Sequence, residues 1–179
     1  MSQDGLAAFE PAFSDELAVI MGWSFDYLQR DVQIIGDTTG WERKQTGGSV
    51  YLRLTTNPLD QPTRYISPGL ASDIIAGGYW WREPGPNCEL IIAYQGVVAE
   101  QALKAAGQLA GQRRDIGVLA VTSADRLNAG WTAAQQARAD GHKNAASHIE
   151  KLLENVSRYA LILTVIDGHP ATLSLAWRG

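Results

Sequence analysis

The chain has 179 residues, of which 45% are hydrophobic and 19% charged, and its formal net charge is -4. These values are typical of a soluble globular protein with one domain or two small ones. The negative charge gives no reason to expect nucleic acid or an anionic membrane as a partner, and no apolar run approaches the roughly 20 residues that span a bilayer. The single cysteine, Cys88, and an acidic N-terminus unlike a signal peptide favour the cytoplasm.

The first part of the chain, residues 1–56, is predicted to hold one helix and one strand. Ser14 can cap the helix, because a serine side chain accepts hydrogen bonds from the first free N–H groups. The predicted apolar face follows at helical spacing: Leu17, Ile20, Met21, Ser24 and Leu28. Residues 37–48 form a predicted loop, and the alternating segment "SVYLRLTT" a strand. One helix and one strand cannot enclose a core alone.

Residues 57–86 hold five of the seven prolines, a density typical of an extended connector between domains. Within it, "LASDIIAGG" predicts a short helix that ends at Gly77-Gly78. Tyr79, Trp80 and Trp81 follow, and we expect them to pin the connector onto a neighbouring domain. A platform for stacking bases or sugars would also use aromatic rings, but no basic cluster accompanies these three.

Residues 87–179 alternate between apolar strands and helices. The predicted strands are "ELIIAY", "IGVLAVT" and "ALILTVI", and Ser123 is the expected cap of the helix after the second. Continuous apolar strands are typical of a parallel sheet covered on both faces. The predicted fold class is therefore α/β, an open, mainly parallel sheet with helices on both faces.

Few motifs in the sequence point to chemistry. There is no glycine-rich phosphate loop, no nucleophile elbow and no pair of histidines or cysteines at metal-ligand spacing. Cys88 is expected to be an inert, partly buried thiol, and His142 and His148 to be solvated surface residues. No residue is therefore assigned to bind a metal or a cofactor.

The carboxyl ends of the strands are the expected ligand site of an open α/β sheet. They include Thr122-Ser123 and the turn Asp167-Gly168-His169. Asp167 and His169 are the candidate catalytic pair, since a carboxylate beside an imidazole could perform acid-base work. The alternative, which we favour, is a structural turn in which Gly168 allows the bend and Pro170 starts a helix over residues 171–177.

A series of strings in order, "GGSVYLRLTTNPLDQP", "IIAGGYWWRE", "LIIAYQGVVAEQAL", "IGVLAVTSADRLNAGWTAAQ" and "VIDGHPATL", resembles the thiamine-diphosphate-dependent transketolase superfamily. The sequence is most similar to the homodimeric decarboxylating component of the pyruvate dehydrogenase complex. The resemblance implies that residues 1–56 are a remnant of the pyrimidine-binding domain and residues 57–86 an interdomain connector. Residues 87–179 would then be an incomplete carboxyl-terminal α/β domain, in a chain cut at both ends.

The resemblance implies that the parent enzyme, an oxidoreductase, binds thiamine diphosphate and Mg²⁺ and passes an acyl group to a dihydrolipoyl acyltransferase. This chain lacks the family's G-D-G motif, and Glu10 and Glu16 are not assigned the activating role. We therefore expect it to bind no cofactor and to supply dimer and interdomain contacts, with itself or the missing domains as partners. A transketolase-type sugar-phosphate enzyme, with Arg126 near the substrate phosphate, and a free-standing α/β interaction module are the alternatives. An exposed sheet edge would favour a dimer or aggregation.

Overall fold

The computed structural model describes residues 5–29, 48–112 and 115–169. The predicted helix over residues 171–177 and nearly all of the predicted loop over residues 37–48 lie outside these ranges. The strands are β1 (Leu6–Phe9), β2 (Ser49–Leu52), β3 (Gly78–Arg82), β4 (Leu90–Gln95), β5 (Ile116–Val121) and β6 (Leu161–Val165). The α-helices are α1 (Ser14–Leu28), α2 (Pro68–Ala76), α3 (Ala99–Gly111), α4 (Ala124–Ala139) and α5 (His148–Leu153).

The main sheet has four strands in the order β3-β5-β4-β6. β4 pairs in parallel with both β5 and β6, whereas β3 runs antiparallel to β5. β1 and β2 form a separate parallel pair. The predicted fold class, an open and mainly parallel α/β sheet, is confirmed.

Helices cover the main sheet on both faces, and the two faces are separated by the alternation of side chains along each strand. On one face, Ile92 and Val118 pack with residues of α1, α2 and α3. On the other, Ile91 and Leu119 pack with residues of α4 and α5. Ser123 caps α4 as predicted, since its hydroxyl accepts from the Arg126 N–H at 3.1 Å.

Helix α1 forms as predicted, but its start and its buried face differ from the prediction. Phe13 occupies the cap position and Ser14 is the first helical residue. The buried positions are Glu16, Ile20, Ser24 and Tyr27. Met21 and Leu28, predicted to be buried, are exposed. The prediction placed the buried face of α1 by hydrophobicity alone. It was wrong because the carboxylate of Glu16 is buried where an apolar side chain was expected.

The aromatic run after α2 is a strand, which the proline-rich composition did not predict. α2 ends at Gly77 as expected, with a φ of +115° that favours glycine. The Gly77 carbonyl oxygen accepts from the N–H groups of Thr122 and Ser123 at 3.0 and 3.1 Å. The chain then enters β3, where Tyr79 is buried and Trp80 and Trp81 are partly buried. These aromatic side chains anchor the segment within the sheet.

The last strand is exposed, although its apolar sequence predicted a buried one. In β6 only Val165 is partly buried, while Leu161 is 71% exposed and Leu163 51% exposed. β6 is the outermost strand and is paired with β4 on one side. The prediction failed because burial of an outer strand depends on what lies beyond it, and the strand's own sequence carries no such information.

Candidate functional site

The carboxyl edge of the main sheet is where the sequence predicts a ligand site. β4, β5 and β6 are parallel, so their carboxyl ends lie side by side. The β1–β2 pair is joined to this edge. The Glu10 N–H donates to the Thr122 carbonyl oxygen at 2.8 Å, and the Ser123 hydroxyl donates to the Ala8 carbonyl oxygen at 2.5 Å. The first part of the chain therefore forms one wall of the predicted site.

Three charged side chains meet at this edge, and we call Glu10, Arg53 and Asp167 the Arg53 cluster. Arg53 Nη1 donates to Glu10 Oε1 at 3.1 Å and to the Asp167 carbonyl oxygen at 2.5 Å. Arg53 Nη2 donates to Asp167 Oδ2 at 3.0 Å. Gly96, at the end of β4, has a φ of +65°, and a Cβ there would collide with the Glu10 carboxylate. Glycine at this position therefore lets Glu10 reach the guanidinium.

The Arg53 cluster lines a pocket of about 240 Å³, together with Pro11, Val97 and residues 54–57. Burial raises the pKa of Glu10, and the neighbouring Arg53 offsets part of that rise. Two carboxylates and one guanidinium leave the ionised cluster with one net negative charge. Such a pocket suits hydroxyl or amide groups, or a small cation, better than a phosphate or a carboxylate.

The structure places Asp167 at the predicted edge, where it accepts hydrogen bonds from Arg53. Asp167, Gly168 and His169 are all exposed. Acid-base work by an Asp167–His169 pair stays a prediction. Arg126 does not line the pocket. Its Nε donates to the Ile75 carbonyl oxygen at 2.5 Å, and its guanidinium lies over the Trp23 ring at 4.8 Å.

A second polar cluster, which sequence reasoning missed, lies inside the molecule. We call Asp15, Glu16, Arg64 and Tyr79 the Glu16 cluster. The Glu16 side chain is only 1% exposed. Its Oε2 accepts from the N–H groups of Ala12 and Phe13, at 2.7 and 3.1 Å, and its Oε1 accepts from the Tyr79 hydroxyl at 2.5 Å. This carboxylate therefore accepts hydrogen bonds from free N–H groups at the start of α1, and it also links α1 to β3 through Tyr79.

Arg64 holds the same cluster from the proline-rich segment. Its Nε and Nη2 donate to the two carboxylate oxygens of Asp15, at 2.6 and 3.0 Å, and its Nη1 donates to the Tyr79 hydroxyl at 2.8 Å. The guanidinium lies 5.5 Å from the Phe13 ring centre and 4.8 Å from that of Trp81. Such cation-π contacts strengthen when water is excluded. Arg64 thus joins α1, the 57–86 segment and β3.

Glu16 and Tyr79 of the Glu16 cluster are buried, whereas Asp15 and Arg64 are partly exposed. Burial, followed by the charge of Glu16, raises the pKa of both Tyr79 and Tyr94, so both phenols stay protonated at neutral pH. The Tyr94 hydroxyl is buried close to that of Tyr79. Sequence reasoning could not find this cluster, since Asp15 and Arg64 are separated by 49 positions and no local motif marks them.

We predict that the Glu16 carboxyl makes stability depend on pH. Burial raises the pKa of Glu16 above its usual value of 4.5 and outweighs the hydrogen bonds from Tyr79, Phe13 and Ala12. The folded protein then holds a proton that the unfolded chain releases, so the free energy of unfolding falls as pH rises from about 4.5 through the raised pKa. Urea denaturation of the wild type and Glu16→Gln at several pH values measures this. The prediction would be contradicted if the free energy of unfolding of the wild type rose relative to that of Glu16→Gln as the pH increased.

His148 and Cys88 have structural roles. The His148 ring Nε2 lies 2.7 Å from the Gly78 carbonyl oxygen and is half-buried, so the prediction of a solvated residue is wrong. Cys88, predicted to be partly buried, is fully buried just before β4, and its inertness stays a prediction. Within residues 5–29, 48–112 and 115–169, no group of three acidic, histidine or cysteine side chains could hold a metal ion. Over the same ranges, no helix has the length and apolar character to cross a membrane.

The fold is similar to that of part of transketolase. Among solved structures, a substituted transketolase from Pichia stipitis matches with a TM-score of 0.53 and 18% sequence identity, covering 90% of this chain and 18% of its own. Another substituted form, in complex with fructose-6-phosphate, gives the same values. The transketolase complex with sedoheptulose-7-phosphate matches with a TM-score of 0.53 and 18% identity, over 89% of this chain and 18% of its own.

These matches establish the fold. Most of the length of each neighbour has no counterpart in this chain. The chain spans less than a fifth of each of these transketolases. No protein-family model and no curated protein sequence matches the chain.

Proposed function

We propose that this chain is part of a thiamine-diphosphate-dependent 2-oxo acid dehydrogenase component, in which it supplies interdomain and dimer contacts and is not catalytic alone. The observation that carries the proposal is the transketolase-like fold, which covers 90% of the chain. The resemblance of the strings quoted above to the pyruvate dehydrogenase component narrows the proposal from the superfamily to 2-oxo acid chemistry.

The two polar clusters support an organising role. The Glu16 cluster fastens α1 to the 57–86 segment and β3, and the Arg53 cluster fastens β2 to the turn after β6. In both, charged side chains are paired with one another across long sequence separations. Such residues hold segments of a chain together, which is the work we assign to residues 1–56, 57–86 and 87–179 as a domain remnant, an interdomain connector and an incomplete carboxyl-terminal domain.

The residues of the carboxyl edge do not fit thiamine diphosphate and Mg²⁺. A diphosphate needs an excess of cationic or N–H donors, whereas the ionised Arg53 cluster has one net negative charge and its guanidinium is already paired with two carboxylates. The described residues also contain no three-ligand group for a metal. In the proposal, cofactor, metal and dihydrolipoyl acyltransferase are bound by other parts of a cytoplasmic parent enzyme.

Calorimetric titration of the chain with thiamine diphosphate and Mg²⁺ tests the proposal. We expect no saturable heat, because the chain carries no G-D-G motif and its polar pocket repels a diphosphate. A matched titration of an intact thiamine-diphosphate enzyme is the positive control. Saturable binding in the micromolar range would contradict a purely organising role.

A transketolase-type parent is the second candidate, since the solved structures that match in fold include transketolase complexes with sugar phosphates. The two candidates differ in the reaction of the parent enzyme. Transfer of a two-carbon unit between sugar phosphates would favour the transketolase, and decarboxylation of a 2-oxo acid with acyl transfer to a lipoyl group would favour the dehydrogenase. The position of Arg126, stacked on aromatic rings and bonded to a backbone carbonyl, gives the sugar-phosphate candidate no added support.

A further inference from the structure

The strand order of the main sheet reverses between β4 and β6. The chain passes from β4 through α3 to β5 on one side of β4, and then through α4 and α5 to β6 on the other side. In open α/β sheets, ligands bind outside the carboxyl ends of the strands at such a reversal. The pocket of the Arg53 cluster lies there, because its lining includes Val97, shortly after β4, and Asp167, shortly after β6. We call this place the switch-point crevice.

Glu10 fills the switch-point crevice from the first part of the chain. Its N–H donates to the backbone at the end of β5, and its side chain lies against Gly96 at the end of β4. Arg53 Nη1 donates both to Glu10 Oε1, at 3.1 Å, and to the carbonyl oxygen of Asp167 after β6. Only 15% of the Glu10 side chain is exposed. The Glu10 carboxylate therefore occupies the place where the topology of the sheet predicts a ligand.

The surroundings of this carboxylate favour a negative charge and leave room for one carboxylate. The guanidinium of Arg53 supplies a positive charge. The 3₁₀ turn Gly96–Val98 and then α3 begin beside the carboxylate, so the positive end of the helix dipole adds to that charge. The room is provided by Gly96, since a Cβ at that position would lie 2.6 Å from Glu10 Cγ and 2.8 Å from Glu10 Cδ.

We propose that the switch-point crevice is a binding site for a small carboxylate and that Glu10 is its built-in occupant, which keeps the site closed. With Glu10 ionised, the Arg53 cluster has one net negative charge and repels a second anion. Without that side chain, the charges of Arg53 and Asp167 cancel, and one bound carboxylate restores the original balance. The contact between Glu10 and Arg53 is thus autoinhibitory. This inference goes beyond the organising role proposed above and does not depend on the reaction of the parent enzyme.

Rescue by acetate tests the site. Glu10→Ala removes Cγ and the carboxylate of Glu10, which together have the heavy atoms of acetate. In urea denaturation, we expect acetate to raise the folded-to-unfolded ratio of Glu10→Ala at least about threefold over chloride at equal ionic strength. This is the gain once acetate reaches about twice its dissociation constant from the folded state.

Glu10→Gln is the matched control, because its side chain still fills the crevice. Like the wild type, it should respond equally to acetate and chloride. An equal effect of acetate on all three proteins, or no effect on Glu10→Ala, would overturn the inference. Circular dichroism establishes folding. If Glu10→Ala is unfolded in chloride, acetate should restore its folded spectrum, and failure to restore it would also overturn the inference.

Further substitutions in the Glu10→Ala background locate the bound acetate. Gly96→Ala should abolish the acetate response, since its Cβ takes the space that the Glu10 side chain occupied. Gly107→Ala, inside α3 with no atom within 4 Å of an added Cβ, is its control and should keep the response. Arg53→Gln should also abolish it. The readout compares two salts for each variant, so a general loss of stability does not affect it. A response that survives Gly96→Ala and Arg53→Gln would show that acetate binds elsewhere, which would overturn the site.

Discussion

Glu16→Ala is expected to lower the free energy of unfolding by about 3–5 kcal/mol. The substitution removes the acceptor for three donors, the part-buried N–H of Ala12, the buried N–H of Phe13 and the buried hydroxyl of Tyr79. It also leaves Arg64 with one fewer carboxylate nearby, since Arg64 Nη2 lies 3.5 Å from Glu16 Oε1. Donors that are buried without an acceptor lose their hydration and gain nothing in return.

Chemical denaturation measures this loss, and Asp26→Ala is the matched control. Asp26 is an acidic residue of the same helix but is exposed, so its replacement should change the stability by no more than about 0.5 kcal/mol. Combining Glu16→Ala with Tyr79→Phe should cost less than the sum of the two single changes, because both remove the same hydrogen bond. A loss below about 1 kcal/mol for Glu16→Ala would show that the cluster does not stabilise the fold.

Gly77→Ala is expected to cost about 2–4 kcal/mol. Gly77 has a φ of +115°, where a side chain is strained, and its added Cβ would lie 2.6 Å from the Ser123 carbonyl oxygen and 3.2 Å from the Leu127 backbone nitrogen. Both atoms belong to the backbone at the start of α4, so they cannot rotate away. The collision would push α2 from the carboxyl end of β5, where Gly77 accepts from Thr122 and Ser123.

Gly130→Ala is the control for the glycine substitution. Gly130 lies inside α4, and no atom is within 4 Å of an added Cβ. Alanine favours the helix over glycine by up to about 1 kcal/mol, so this variant should be as stable as the wild type or more stable. Thermal denaturation of the two variants side by side measures the contrast. If Gly77→Ala and Gly130→Ala were equally stable, Gly77 would not be required for the contact between α2 and β5.

The elements of residues 87–169 could be predicted because their signals are local. Apolar runs separated by amphipathic stretches predict β4, α3, β5 and α4 in order, and Ser123 marks the start of α4. Parallel pairing follows from the strand-helix alternation. The position of β3 could not be predicted in this way, since its antiparallel pairing with β5 depends on a turn at Gly77 that returns the chain to the sheet.

In the candidate sites too, some residues could be placed from local sequence signals and others depend on distant contacts. Asp167 is found at the carboxyl edge by strand position alone, whereas Glu10 and Arg53 reach it only because the β1–β2 pair packs there. The sequence around Glu16 predicts an ordinary first-turn acid. Its burial depends on Tyr79, which is 63 positions away, and on Arg64, so no pattern within the helix reveals it.

The way in which β1 and β2 meet the main sheet has a consequence for folding kinetics. The bond from Ser123 to Ala8 spans 115 positions, and that from Arg53 to Asp167 spans 114. Contacts of this span form only after a long loop has closed, and they slow folding from microseconds toward milliseconds or seconds. β1 and β2 are therefore among the last elements of the described chain to find their partners. Until β6 and its turn are in place, the bonds from Arg53 to Asp167 cannot form.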